Sequence, residues 1–258
     1  MDNVFIAIAL TMIAGLSTCI GGLIAIFSKG KNKNFLGFSL GISAGVMIYV
    51  SFMELLVKAM NNFCEFYTPK LGTTYSVVWF FSGMVFGALI DRVIPDAELV
   101  HKTGDQGGSK LMRTGLVTAL AMGIHNFPEG MATFVSALSS PALAIPIVAA
   151  IAIHNIPEGI AVSVPILYAT KSRGKAFWYA FLSGIAEPVG AVIGYLVLMP
   201  FINGLTNAAV FAAVAGIMVY ISVDELLPAA RRFSTGHISV YGVVIGMIIM
   251  AVSLIGFM

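Results

Sequence analysis

Eight apolar runs divide this chain from end to end, at about residues 4–27, 35–56, 75–95, 111–138, 142–168, 176–199, 207–228 and 238–258. A bilayer core of about 30 Å needs roughly 20 apolar residues per helical crossing, and each run meets that length. Membrane strands would instead be about ten residues long with alternating polarity, which the chain lacks. Only 10% of the residues are charged. We therefore expect an all-α integral membrane protein, with eight spans in one transmembrane domain over residues 1–258.

Basic residues fall almost entirely on one side of these runs. Lys58 and Lys70 are the two exceptions. The other 12 of the 14 basic residues follow odd-numbered runs: Lys29, Lys31, Lys33, Arg92, Lys102, Lys110, Arg113, Lys171, Arg173, Lys175, Arg231 and Arg232. The positive-inside rule makes these loops cytoplasmic and places both termini outside the cytoplasm. The net charge of +2 is too small and dispersed for a nucleic-acid partner.

Two segments recur within the chain. Residues 44–56, AGVMIYVSFMELL, align without a gap with residues 215–227, AGIMVYISVDELL, and eight of the thirteen positions are identical. The hexapeptide HNFPEG at 125–130 returns as HNIPEG at 154–159. In both pairs an odd number of crossings separates the copies, so the matching helices run in opposite directions. This pattern predicts inverted repeats that pair span two with span seven and span four with span five, a common arrangement in transporters.

Each copy of the hexapeptide carries a pair of metal-binding side chains. Each histidine precedes a glutamate by four residues, so the two side chains project from one helix face, one turn apart. Imidazole nitrogen and carboxylate oxygen suit borderline divalent metals such as zinc, and the asparagines add amide oxygens for a second, adjacent ion. The candidate ligands all lie near the middle of spans four, five and six: His125, Asn126, Glu129, His154, Asn155, Glu158 and Glu187.

Three of these side chains are carboxylates that no mid-span basic residue neutralises. An ionised carboxylate at the bilayer centre costs at least about 2.5–3.5 kcal/mol, so three would total of order 8–10 kcal/mol if left unpaired. A single intramembrane His or Glu often does no more than hydrogen-bond a neighbouring helix. The duplicated set favours compensation by metal ions or protons instead.

Further acidic residues lie toward the ends of the repeated segments. Glu54 is expected near the outer mouth of a cation pathway, and Asp224 and Glu225 near its cytoplasmic mouth, where negative charge concentrates cations. Ordinary solvated helix ends are the alternative for all three. The loop from Asp91 to Lys110 holds one histidine, His101, among scattered acids, and is expected to be a solvated loop rather than a metal site.

The paired hexapeptides within an eight-span chain resemble the ZIP family of divalent metal transporters, above all its compact bacterial ZupT-like and GufA-like branches. The resemblance implies a helix bundle with inverted repeats around a binuclear site. It also implies uptake of zinc, or of iron, cobalt, manganese or cadmium, toward the cytoplasm. One ion would be bound by His125, Glu129, His154 and Glu158. The second would be bound by Asn126, Glu129, Asn155, Glu158 and Glu187, so that the two central glutamates bridge the ions.

Two other functions are alternatives to uptake. An intramembrane zinc-dependent hydrolase would need a general base and an open water position, but the residue after each histidine is Asn, which is no base. A proton-driven carrier of organic cations would leave the His/Asn pairs without a role. We therefore expect a non-enzymatic transporter of the cell membrane, with metal as its cargo and no prosthetic group. Its expected partners are divalent ions and lipid, with a homodimer as the candidate assembly.

Overall fold

A computed structural model of the protein describes residues 2–27, 33–93, 106–139, 141–198 and 203–256. These ranges form eight continuous helices and contain no strand. Their bounds are α1, Asp2–Phe27; α2, Lys33–Phe66; α3, Pro69–Val93; α4, Gln106–Ser139; α5, Pro141–Thr170; α6, Arg173–Ile193 with a further turn over Gly194–Leu198; α7, Gly204–Phe233; and α8, Ile238–Gly256. Each predicted span thus corresponds to one helix.

Seven of these helices are long and apolar enough to cross a bilayer, which confirms the prediction of an all-α membrane protein. The eighth, α4, carries the first hexapeptide and packs along α5 and α6. Four helices, α1, α4, α5 and α6, contact one another pairwise and form the centre of the bundle. Around them, α2 contacts α5 and α7, while α8 lies along α2 and α3 lies along α7.

The second helix extends ten residues beyond the predicted end of its span. The apolar run 35–56 stops before Lys58, but the helix continues over Leu56–Phe66 because that segment is amphipathic. It buries Ala59 and Phe63 while Lys58 remains largely exposed. The charge of Lys58 ends the apolar run but does not end the helix.

Two helices contain a π-helical turn at matching places in their sequences. In α2 the turn spans Ser51–Leu55, and in α7 it spans Ser222–Leu226. The serine that opens each turn donates its hydroxyl to the carbonyl four residues earlier, over 2.6 Å from Ser51 to Met47 and 2.7 Å from Ser222 to Met218. Such turns are frequent at functional sites, and these two hold the acidic residues of the repeated segments.

Candidate metal centre

The two hexapeptides lie side by side where α4 and α5 pack together. His125, His154 and Glu158 are almost completely buried. Glu129 retains 13% exposure of its side chain. The helical spacing that the sequence predicts therefore places both His/Glu pairs within the centre of the bundle.

The carboxylate of Glu129 joins the two helices. Its Oε1 lies 3.0 Å from Nε2 of His154, and its Oε2 lies 3.3 Å from Nε2 of His125. One ligand atom from each of these three residues lies within 4.8 Å of the others, so the three side chains are grouped closely enough to be candidates for binding one ion.

Glu158 is the second carboxylate between the helices. Its Oε1 lies 3.7 Å from Nε2 of His125. The side chain is fully buried, and neither carboxylate oxygen has a hydrogen-bond partner among the described residues. Because buried polar atoms are normally satisfied, this pair of oxygens points to a ligand that completes the site.

The two asparagines are held in place by the neighbouring helices. Asn126 donates its Nδ2 to the carbonyl of Ser183 on α6, and Asn155 donates its Nδ2 to the carbonyl of Ala14 on α1, each over 3.0 Å. Only the amide nitrogen can donate to a carbonyl, so these bonds fix the orientation of each amide. The Oδ1 atoms are buried and have no hydrogen-bond partner in the described part of the chain.

Glu187 reaches the same cluster from α6. Its Oε2 accepts a hydrogen bond of 2.9 Å from Nδ2 of Asn155, while its Oε1 has no partner among the described residues. No lysine or arginine forms an ion pair with Glu129, Glu158 or Glu187 within the ranges that the structure describes. All seven ligand candidates from the sequence therefore lie in this buried region of α4, α5 and α6.

Glu54, Asp224 and Glu225 lie in the π-helical turns of α2 and α7. Glu54 forms an ion pair of 2.8 Å with Lys58 one turn later. Asp224 is exposed and accepts a hydrogen bond of 3.2 Å from the hydroxyl of Tyr220. Glu225 is nearly buried, because other side chains enclose its carboxylate.

Those enclosing side chains come from the start of α4. Arg113 donates to Oε1 of Glu225 and, over 2.7 Å, to Oδ1 of Asp91, while Thr114 donates to Oε2 of Glu225 over 2.9 Å. A cavity of about 360 Å³ opens beside this network. Asp91 thus has a defined partner, whereas Asp96, Glu98, His101 and Asp105 of the same predicted loop lie outside the described residues. Sequence reasoning counted Arg113 as a loop cation and missed this network.

Known proteins resemble this chain over nearly its whole length. A family model described as "ZIP Zinc transporter" matches residues 94–254. A protein named zinc transporter ZupT from Streptococcus mutans is 56% identical, with 99% of each chain covered. Proteins of the same name from Oceanobacillus iheyensis and Clostridium perfringens are 52% and 50% identical, over 99% and 100% of this chain and 99% and 98% of their own.

Proposed function

This chain belongs to the ZIP family of zinc transporters, and from that premise we propose that it takes up divalent transition metal ions, zinc foremost, across the cell membrane toward the cytoplasm. The observation that carries the proposal is the carboxylate of Glu129, which lies within 3.3 Å of imidazole nitrogens on two helices. The chain is a transporter rather than an enzyme. The hydrolase alternative has no support, since the His/Glu pairs are duplicated and each histidine is followed by Asn.

The cargo would occupy two adjacent positions. The first ion is assigned to His125, Glu129, His154 and Glu158, and the second to Asn126, Glu129, Asn155, Glu158 and Glu187. Five buried oxygens without hydrogen-bond partners among the described residues support this assignment, on Asn126, Asn155, Glu158 and Glu187. Oxygen-rich and nitrogen-containing ligands together suit zinc and its neighbours in the first transition series. No prosthetic group is part of this proposal.

The inverted repeat is proposed as the frame of this site. Span two matches span seven and span four matches span five in sequence. The π-helical turns of α2 and α7 support the first pairing, because Ser51–Leu55 and Ser222–Leu226 occupy aligned positions. The two hexapeptides on the contacting helices α4 and α5 support the second. The whole frame is assigned to one transmembrane domain in lipid, with a homodimer as its assembly.

The direction of uptake follows from the proposed orientation. The basic residues around Arg113, Lys171 and Arg231 assign those helix ends to the cytoplasm, with both termini on the other side. Glu54 would then lie toward the outer mouth. Asp224 and Glu225 would lie beside the cytoplasmic cavity, where the departing ion meets carboxylates before it reaches solvent.

Reconstitution into liposomes tests the proposal. Purified protein is inserted into vesicles that contain a zinc-sensitive dye, and zinc is added outside at fixed pH and membrane voltage. We expect dye signal with the wild-type protein and none with empty vesicles or with Glu129→Ala. Calcium, which prefers six to eight oxygen ligands, serves as the control ion. Equal rates for zinc and calcium, or no zinc signal from folded wild-type protein, would overturn the proposal.

A further inference from the structure

The outer pair of central helices, α1 and α6, present matching groups to the two asparagines. Asn155 of α5 donates to the carbonyl of Ala14, and Asn126 of α4 donates to the carbonyl of Ser183, over the same 3.0 Å. These asparagines occupy the same position in the two hexapeptides. The bonds therefore align α1 with α6 so that Ala14 of α1 corresponds to Ser183 of α6.

The same register recurs in the backbone contacts of both helices. Glycines face carbonyl oxygens so closely that an added Cβ would lie 2.5 Å or less from them. The contacts fall in three equivalent pairs, in which each glycine is named before the residue whose carbonyl oxygen it faces. The pairs are Gly15–Gly184 and Gly184–Gly15, Gly21–Ile156 and Gly190–Phe127, and Gly159–Thr18 and Gly130–Glu187. In the last pair, Thr18 of α1 corresponds to Glu187 of α6.

Thr18 therefore occupies, on α1, the place that Glu187 occupies on α6. Its side chain is fully buried, and its Oγ1 has no hydrogen-bond partner among the described residues. Two other hydroxyls on α1 are satisfied within the helix, Thr11 by the carbonyl of Ala7 and Ser17 by the carbonyl of Ala14. Of these three hydroxyls on α1, that of Thr18 alone lacks a hydrogen-bond partner among the described residues.

One carbonyl that Thr18 could use already has other donors. A helical threonine usually bonds the carbonyl three or four residues earlier, which for Thr18 includes that of Ala14. That oxygen accepts from Ser17 Oγ over 2.6 Å and from Asn155 Nδ2 over 3.0 Å. The Thr18 hydroxyl is not among its donors.

We propose that Thr18 is a further residue of the ion site, which presents a neutral hydroxyl oxygen on the Asn126 side as Glu187 presents a carboxylate on the Asn155 side. This inference rests on the proposed transport function. The site then has one acidic half and one neutral half, and its negative charge comes from three carboxylates rather than four. Thr18 would set the affinity and selectivity for the second ion.

Removal of the hydroxyl is the first test. Thr18→Val keeps the shape of the side chain and deletes its oxygen, and Thr11→Val is the matched control because Thr11 is equally buried on the same helix. A neutral oxygen contact contributes to ion affinity about as a hydrogen bond does, so we expect KM for zinc uptake to rise about three- to tenfold in Thr18→Val alone. Equal KM values in the two variants would overturn the proposal.

Transfer of the carboxylate is the second test. Glu187→Gln should lower zinc uptake, and Thr18→Glu added to it should restore uptake to within about threefold of wild type, because the charge returns at the equivalent place. Thr18→Gln with Glu187→Gln is the control of equal size without charge. Rescue by both double variants, or by neither when both are folded by size-exclusion chromatography, would contradict the assignment.

Equilibrium binding separates this inference from the proposed function. Zinc titration of detergent-solubilised wild type, Thr18→Val and Thr11→Val measures the site without any transport step. If wild-type vesicles take up no zinc, the transport proposal fails, while weaker zinc binding by Thr18→Val alone still supports a ligand role. If vesicles take up zinc and all three proteins bind it equally, the inference about Thr18 fails by itself.

Discussion

Among single side chains, Glu129 has the central place in the proposed ion site. It contacts both histidines and keeps partial exposure, whereas Glu158 and Glu187 are fully buried. Carboxylates in the membrane are expensive when unpaired, at about 2.5–3.5 kcal/mol each. A divalent ion among them offsets that free energy. The empty cluster and the loaded cluster must therefore differ strongly in electrostatic energy.

The first prediction is the position of the metal. Crystals grown with Cd²⁺ or Zn²⁺ should show anomalous density near Nε2 of His125 or His154, at about 2.0–2.1 Å for Zn–N bonds. The reason is that both nitrogens already lie 3.0–3.3 Å from one shared carboxylate. Density confined to surface carboxylates, with ordered water between the two histidines, would contradict the site.

The second prediction compares two glutamates. Glu129→Ala should lower zinc uptake by about 100-fold or more, because loss of one partner from a buried charged cluster costs about 3–5 kcal/mol. Glu54→Ala should mainly slow uptake at low zinc, since Glu54 is proposed to lie toward the outer mouth and pairs with Lys58. Initial rates over a range of zinc concentrations in vesicles measure both effects. Normal transport by membrane-inserted Glu129→Ala would exclude the bridging role.

The seven ligand candidates could be predicted because the hexapeptide is duplicated and helical spacing fixes which side chains share a face. Thr18 could not be, because one threonine in an apolar helix is usually an ordinary buried residue. Its place depends on the register of α1 against α6, where only Gly15 with Gly184 and Gly21 with Gly190 match in sequence near it. The network around Arg113 could not be predicted for a related reason, since its partners Asp91 and Glu225 are distant in the chain.

Among the helices, close contacts between glycine and carbonyl groups hold the centre together. A Cβ at Gly21 would lie 2.0 Å from the carbonyl oxygen of Ile156, and neighbouring atoms of α5 are within 3 Å. No flexible side chain is there to move aside. Small residues at such contacts let membrane helices approach closely.

The third prediction follows from this contact. Gly21→Ala should force α1 and α5 apart and destabilise the protein by about 1–3 kcal/mol, as overpacking does. Gly174→Ala is the control, because nothing lies within 4 Å of a Cβ added there. Thermal unfolding in detergent measures the difference. A Tm for Gly21→Ala equal to that of Gly174→Ala would show that the two helices can separate freely.

The number and type of the helices could be predicted from the sequence, since apolar length decides membrane crossing. Their ends could not always be predicted. Leu56–Phe66 is helical beyond its apolar run, and α3 begins at Pro69 rather than near residue 75. The amphipathic pattern of Leu56–Phe66 extends α2, and a proline in its first turn starts α3 at Pro69.

For the molecule as a whole, the repeated segments of α2 and α7 contact different neighbours. Gly45 packs against the carbonyl of Val243 on α8, where a Cβ would lie 2.1 Å from the oxygen. Gly216 packs against the carbonyl of Phe80 on α3, where a Cβ would lie 1.9 Å from the oxygen. Both glycines therefore lie in close contact with the backbone of a neighbouring helix. Under the proposed inverted repeat, the α2–α8 and α7–α3 pairs are equivalent halves of the periphery.

The fourth prediction tests whether these halves act as opposite gates. Gly45→Ala and Gly216→Ala should shift access in opposite directions, because a larger side chain blocks close packing in only one of two states. Cysteine probes introduced beside Glu54 and Asp224, in a protein without Cys19 and Cys64, report the access by their reaction with thiol reagents. Identical shifts in both variants would favour a fixed pore.

The π-helical turns of α2 and α7 also mark the places where the helices can lose one residue. Such a turn bonds each carbonyl to the fifth residue onward rather than the fourth, so it holds one residue more than an α-helical turn. Loss of one residue from Ser51–Leu55 or Ser222–Leu226 would therefore leave an unbroken α-helix on both sides. These are the places where a gene for such a bundle can lose one codon while the two helix ends keep nearly the same rotation about the helix axis, because the wider turn had absorbed the extra residue.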